Sequence, residues 1–258
     1  MNELAPAKIN VCLFLGPQRA DGRHELVTIF QPIALHDEVT LEPADRDEVV
    51  CEGVEGPNLA AEAVARFRAA TGYADPVRIT IRKRIPVAGG MAGGSADAAA
   101  TLRLLARHSG LAPDLHAIAA ELGADVPGQV APARYLATGA GERLKPLDPV
   151  DAYGVLVLPG AEPLSTGAVF AEAAEMGLRR TSEALEELRD LVRITNDLPD
   201  GLAHNDLEPA ALALMPEIGE RMEQARAAGA DHVMLSGSGP TVLGLFDDAS
   251  MPGTVSTL

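Results

Sequence analysis

Aromatic residues are scarce: five Phe, three Tyr and no Trp make up 3% of the 258 residues. With 44 Ala beside that shortage, the cores have to be assembled from Ala, Leu and Val, and such small side chains let helices approach sheets closely. Cations are few as well. Lys and Arg number 21 against 37 Asp and Glu, a net charge of −16. A surface of that sign repels phosphate backbones and anionic membranes, which argues against nucleic-acid or membrane binding. An anionic small ligand then requires a local pocket built from backbone N–H groups, a metal ion or a few placed cations. Cysteine is limited to Cys12 and Cys51. They have no C-x-x-C spacing, so reduced core thiols are expected rather than a disulfide framework or thiolate metal site. No apolar run approaches the roughly 18–20 residues of a membrane span, and Met1–Asn10 lacks the basic-then-apolar pattern of a signal segment. A cytoplasmic protein is the expectation.

What remains is ordinary globular material, with 47% hydrophobic and 22% charged residues, enough for one large domain or two modest ones. Period-two patterns predict strands over Lys8–Leu15, Leu26–Ala34, Glu38–Leu41, Glu48–Glu52 and Val77–Ile81, with a turn at Arg19–Arg23. Pro57 opens a helix that Thr71-Gly72 closes, and Pro113 and Gly123 bracket another. Gly123–Pro127 reads as an exit turn. Further strands are predicted at Arg134–Ala137, Arg143–Lys145 and Tyr153–Leu158. After a boundary placed near Pro149 come helices at Ser165–Met176, Glu183–Leu191, Asp206–Leu214 and Pro216–Ala228. Strands His232–Leu235 and Thr241–Phe246 follow, joined by Ser236-Gly237-Ser238-Gly239.

The chemistry concentrates at Pro86-Val87-Ala88-Gly89-Gly90-Met91-Ala92-Gly93-Gly94-Ser95-Ala96, a strand, glycine loop and helix start in succession. Four glycines at a helix N-terminus let N–H groups converge on phosphate, and the helix dipole adds to them. The run is no Walker A loop, since no Gly-Lys-Ser/Thr follows. It also fails the G-x-G-x-x-G spacing, because Met91 stands at the second glycine position. Ser95 either caps the helix or reaches a phosphate-bridging Mg²⁺; a flexible connector is the plainer alternative. Lys8 and Asn10 interrupt an apolar strand, where an inward Lys needs an anionic partner and an edge Lys merely blocks aggregation. Asp125 reads as a turn residue or cap when taken alone.

Taken together, Pro6–Asn10, Arg19-Ala20-Asp21-Gly22-Arg23-His24-Glu25-Leu26, the glycine loop, Leu122–Pro127 and Ser236–Pro240 resemble the GHMP small-molecule kinase superfamily, in its order and over nearly the whole chain. The Asp-Gly-x-His segment resembles the branch that transfers the ATP γ-phosphoryl group to the tertiary 2-hydroxyl of a cytidine-diphosphate sugar alcohol, in non-mevalonate isoprenoid synthesis. The resemblance implies a mixed α/β chain of two domains, 1–149 and 150–258. The first is a sheet-plus-helix ATP-binding domain, the second a ferredoxin-like α+β domain, with the active site in the cleft between.

Carried over by motif, Lys8 and Asp125 are the catalytic pair, Asp125 accepting or orienting the hydroxyl proton and Lys8 stabilising charge at the attacking oxygen. Pro86 to Ala96 wrap the triphosphate, with Ser95 toward Mg²⁺, and Asn58 matches the position that meets adenine, or else is only a helix cap. Asn10, His24, Thr166 and Phe170 serve the acceptor: His24 reads the cytosine edge and Phe170 stacks on the ring, unless they are a surface His and a core Phe. ATP and Mg²⁺ are the implied cofactors, and a monomer or homodimer the implied state. Three departures stand out. Arg23 replaces the Tyr common before that His, Gly128-Gln129 replaces a more apolar continuation, and after Phe246 the family's last helix and strand are expected to be missing. The rivals are a homoserine- or mevalonate-type kinase and a nucleotide-binding homologue without catalysis.

Overall fold

A computed structural model describes residues 1–54, 56–194 and 202–258. The packing groups them into two compact units that do not follow chain order. The first comprises Met1–Ala7, Leu35–Val87 and Ala92–Pro132, the second Lys8–Ala34, Ala88–Met91 and Ala133–Leu258. Two long strands explain the division, β1 (Asn2–Gln18) and β2 (His24–Pro43), because each contributes one end to each unit. The predicted strands at Leu26–Ala34 and Glu38–Leu41 are thus one element. The sequence breaks them at His36-Asp37, but Asp37 is fully buried and its carboxylate is satisfied by Lys83 and the amides of Arg84 and Ile85, so the strand runs through.

In the first unit, β3 (Glu48–Cys51) runs parallel to β4 (Val77–Arg82), and β4 pairs antiparallel with the end of β2, Leu41 opposite Ile79. Strand β4 alternates strictly, with Val77, Ile79 and Ile81 inward and Arg78, Thr80 and Arg82 outward, the pattern of a half-buried strand. Against the inward face lie α1 (Leu59–Thr71) and α2 (Gly93–Ser109). Helix α2 buries Ala96, Ala98, Ala99 and Ala100 to 1% exposure or less, which is how a core almost without aromatics reaches close packing. Helices α3 (Leu115–Ala120) and α4 (Val126–Val130) complete the unit. The expected exit turn at Gly123–Pro127 is partly helical: Pro127 sits in the first turn of α4, where its missing N–H costs nothing.

In the second unit, β5 (Tyr135–Thr138) pairs with β2 and with β6 (Arg143–Pro146). The rest is an antiparallel sheet of β7 (Gly154–Leu158), β8 (His232–Leu235), β9 (Val242–Phe246) and β10 (Val255–Ser256) in the order β10-β7-β9-β8. Helices α5 (Thr166–Glu175), α6 (Ser182–Ile194), α7 (Glu208–Leu214) and α8 (Glu217–Ala227) lie between β7 and β8 in the chain. The helical crossover leaves room for β9 between β7 and β8, a split βαβ arrangement of the ferredoxin-like kind. Turns rather than a helix join β9 to β10, and β10 pairs with β7 through Val255–Val155 and Ser256–Gly154. The core beneath uses Leu13 and Leu15 of β1 with Val169, Ala211, Met222 and Val242. Arg180 and His204 converge on Asp206 at 2.6 and 2.8 Å and flank the Phe14 ring.

Candidate active site

Lys8, Asn10 and Cys12 share one face of β1 by strand periodicity. Lys8 and Asn10 are 7% and 3% exposed, so the edge-guard reading of Lys8 fails. The Lys8 ammonium donates to Asn10 Oδ1 at 2.9 Å and stands 4.3 Å from the Phe30 ring centroid, a cation held by an amide oxygen and a π face. Asn10 Nδ2 donates to Thr28 Oγ1 at 2.7 Å, and that hydroxyl donates onward to the Cys12 carbonyl. The direction of this chain fixes the amide: Thr28 gives its only proton to Cys12, so it accepts from Nδ2, and Oδ1 is left to face the ammonium. Thr28 is a positioning residue that the sequence does not betray.

The glycine-rich loop is wound tightly. Ala88 and Ala92 lie in the left-handed region at φ 54°, as does Gly90 at φ 72°. Two non-glycine residues in that region cost of order 1 kcal/mol each and persist only where the surroundings over-determine them. Within the second unit, the Met91 carbonyl accepts from the Lys8 amide at 3.2 Å and the Gly90 carbonyl from Ser236 Oγ at 3.1 Å. A Cβ on Gly90 would fall 2.3 Å from the Ser236 carbonyl oxygen. The Ser236–Gly239 loop is therefore a brace for the glycine loop, and it is held in turn by Asn205, whose Nδ2 donates to the carbonyls of Leu235 and Gly237 at 2.9 and 2.7 Å. Asn205 carries no sequence signal; only a contact across 30 residues reveals it.

In the first unit, the loop leads into α2. Its N-cap, Ala92, offers no side-chain cap and its first turn holds no acid, while Gly94 is exposed and Ser95 half-buried. Open N–H groups at the positive end of a 17-residue helix make an anion cradle. Next to it is a buried cluster that sequence reasoning missed. Lys83 Nζ bonds Asp37 and Asp97 at 2.5 and 2.7 Å. Burial, with the Asp37 charge added, raises the Asp97 carboxyl well above the usual carboxylate range against the pull of Lys83. Asn58 caps α1, its Oδ1 accepting from the Ala60 amide at 2.9 Å, as the plainer reading has it. It also lines a cavity of about 610 Å³ with Val49, Pro57, Val64 and Val77. Asp125 is half-buried at the N-cap of α4.

His24, Phe170 and Thr166 come together in the second unit, with Arg23 and Leu26, around a cavity of about 490 Å³. His24 is 6% exposed, so it is no surface histidine. Its Nδ1 lies 3.1 Å from the Gly16 carbonyl, which can only accept, so Nδ1 carries a proton and Nε2 is the nitrogen left for a ligand. The His24 and Phe170 rings are 5.9 Å apart and tilted by 38°. Thr166 Oγ1 meets Ser238 Oγ at 2.9 Å, tying this cavity to the bracing loop. An apolar ring face beside a ring nitrogen suits a planar heterocycle with hydrogen-bonding edges.

Comparison with known proteins identifies the family. Residues 58–133 match the model of the GHMP kinases N terminal domain and residues 173–252 that of the GHMP kinases C terminal domain. The chain belongs to the GHMP kinase family and is an ATP-dependent small-molecule kinase. It is 41% identical to the 4-diphosphocytidyl-2-C-methyl-D-erythritol kinase of Streptomyces avermitilis, over 95% of this chain and 87% of that one. Identity to the kinase of the same name from Corynebacterium diphtheriae is 39%, over 98% and 90%. A crystal structure of 4-(cytidine 5'-diphospho)-2C-methyl-D-erythritol kinase superposes with a TM-score of 0.79 at 35% identity, covering 95% of this chain and 90% of that one. A homoserine kinase from Cytophaga hutchinsonii, at 20% identity and TM-score 0.63 over 96% of this chain and 85% of that one, shares the fold alone. Among the described residues no helix is long and apolar enough to cross a membrane.

Proposed function

We propose that this kinase transfers the γ-phosphoryl group of ATP to the 2-hydroxyl of 4-diphosphocytidyl-2-C-methyl-D-erythritol, a step of non-mevalonate isoprenoid synthesis carried out in the cytoplasm by a monomer or homodimer. The observation that carries the reading is the cavity joining His24, Phe170 and Thr166, because a base-sized site with one directed ring nitrogen has no use for homoserine or mevalonate. Phe170 stacks on the pyrimidine, and His24, its Nδ1 turned to the Gly16 carbonyl, accepts at Nε2 from an exocyclic amine of the kind cytosine carries. Adenine enters the cavity beside Asn58, and the triphosphate follows the loop from Pro86 to Ala96 onto the N–H groups at the start of α2.

Phosphoryl transfer through a loose transition state asks the protein for position and charge rather than for covalent help. Lys8, pinned by Asn10, sets a positive charge for the attacking oxygen, and Asp125 orients or accepts the hydroxyl proton. Mg²⁺ fits the residues present. Among the described residues no group of three His, Cys, Asp or Glu gathers to hold a metal on its own, and a hard cation that arrives on nucleotide phosphates needs only one or two protein oxygens. Ser95 Oγ is the oxygen that would reach it. When bound, the ion neutralises charge on the phosphate oxygens.

The test is ADP release with Mg·ATP and the cytidine substrate beside homoserine, mevalonate and no acceptor. Turnover confined to the cytidine compound is expected. Turnover with either other acceptor, or ATP binding without turnover on any of them, would overturn the assignment.

A further inference from the structure

The two ends of the glycine-rich loop are joined by a buried set of charges, all within the first unit. At the entrance, Asp37 Oδ1 accepts from the amides of Arg84 and Ile85 at 2.5 and 2.8 Å, immediately before Pro86. At the exit, Asp97 stands one helical turn after Gly93 on the same face of α2. Lys83 spans them, with its Nζ on Asp37 Oδ2 and Asp97 Oδ2. The ammonium also abuts the start of the helix, since a Cβ built on Gly93 would lie 3.2 Å from Nζ. Asp37 is fully buried, Asp97 is 3% exposed, and the Lys83 side chain is 13% exposed. Solvent therefore screens this linkage little, and removing one member leaves a buried charge behind.

We propose that Lys83, held between Asp37 and Asp97, is a positioning residue that staples both ends of the glycine-rich loop and keeps the N-terminus of α2 set for the nucleotide's triphosphate. The inference rests on the reading of that loop as the phosphate cradle. Its physical basis is the strain inside the loop: left-handed Ala88 and Ala92 favour unwinding, and the staple removes the freedom to unwind. A loop that keeps its binding form only a tenth of the time binds its ligand tenfold more weakly, with no contact to the ligand altered.

The experiment is calorimetric titration of the full chain with a non-hydrolysable Mg·ATP analogue and, separately, with CDP, in wild type and in Lys83→Met. The expected result is an analogue Kd raised about tenfold or more with the CDP Kd within about twofold. Should Lys83→Met not fold, Lys83→Met/Asp97→Leu removes the stranded carboxylate on α2 while Asp37 keeps its two amide donors, and the same split is expected. An analogue Kd within about twofold of wild type in either folded variant, or an equal loss for both ligands, overturns the staple. Wild type that binds CDP but not the analogue would instead overturn the reading of the loop itself, and the staple with it.

Discussion

Gly90→Ala and Gly94→Ala separate what the loop does for folding from what it does for ATP. At Gly90 the backbone sits at φ +72°, where an Ala costs about 1–2 kcal/mol more than Gly. The new methyl would also meet the Ser236 carbonyl oxygen at 2.3 Å and that of Gly239 at 3.2 Å. Both are backbone atoms that cannot swing aside, and such overpacking adds about 1–3 kcal/mol. The sum is a loss of about 2–5 kcal/mol, and at about 2–4 °C per kcal/mol for a chain of this size the expected fall in Tm is about 4–20 °C. Gly94 has an ordinary helical backbone and nothing within 4 Å of its would-be Cβ, and Ala is the better helix former by up to about 1 kcal/mol. Its variant should melt at or above the wild-type temperature. Because Gly94 is exposed at the open end of α2, its methyl should instead raise the KM for ATP. Scanning calorimetry of the two variants decides. Melting of Gly90→Ala within about 1 °C of wild type, or an equal fall for Gly94→Ala, would refute the assignment of Gly90 to bracing and Gly94 to the cradle.

Other consequences can be checked as directly. Lys8→Ala and Asp125→Asn should each lower kcat by about 10²-fold or more, with the Kd for ATP little changed, and an unchanged rate would reduce them to structural roles. Arg23 has a side chain 60% exposed, leans toward Asp21 at 3.4 Å, and stands at the rim of the His24–Phe170 cavity. A guanidinium on a base face at such a site is worth about 0.5–1 kcal/mol, so Arg23→Ala should raise the KM of the cytidine acceptor about two- to fivefold and leave that of ATP unchanged. Burial alone would raise the Asp206 carboxyl, but hydrogen bonds from His204, Arg180 and the Leu15 amide override it and hold the pKa at about 2. A carboxyl depressed in the folded state stabilises fully above its unfolded pKa and loses that contribution as pH falls toward the folded value. Asp206→Asn should therefore be less stable by about 2 kcal/mol at neutral pH, with the deficit closing between about pH 4 and pH 2 in urea melts.

How far the residues announce this arrangement depends on how local each cause is. The helix opened by Pro57 and closed by Gly72, the alternation of Val77–Arg82 and the run of small residues through Ala100 are local, and each element lies where its pattern places it. His24, Thr166 and Phe170 were named from family motifs scattered over the chain, and the packing of α5 brings them around one cavity. What escaped is non-local. Asp37 looks like the end of a strand until Lys83 and two amides from 46–48 residues away are seen to satisfy it. Thr28 and Asn205 look like ordinary polar residues in apolar stretches, and their orienting roles come from partners that no spacing rule connects. The boundary near Pro149 is read from the prolines that close a local strand, while the passage of β1 and β2 through both compact units has no local signal.

Which hydroxyl receives the phosphoryl group is the most direct test of this enzyme's chemistry. Product made from Mg·ATP and 4-diphosphocytidyl-2-C-methyl-D-erythritol, followed by ³¹P and ¹³C nuclear magnetic resonance, should show a new phosphomonoester beside an intact diphosphate, with the signal of the quaternary C2 carbon split by the new phosphorus. A phosphate on a primary or secondary hydroxyl, or ADP formed with no phosphorylated cytidine product, would contradict transfer to the 2-hydroxyl.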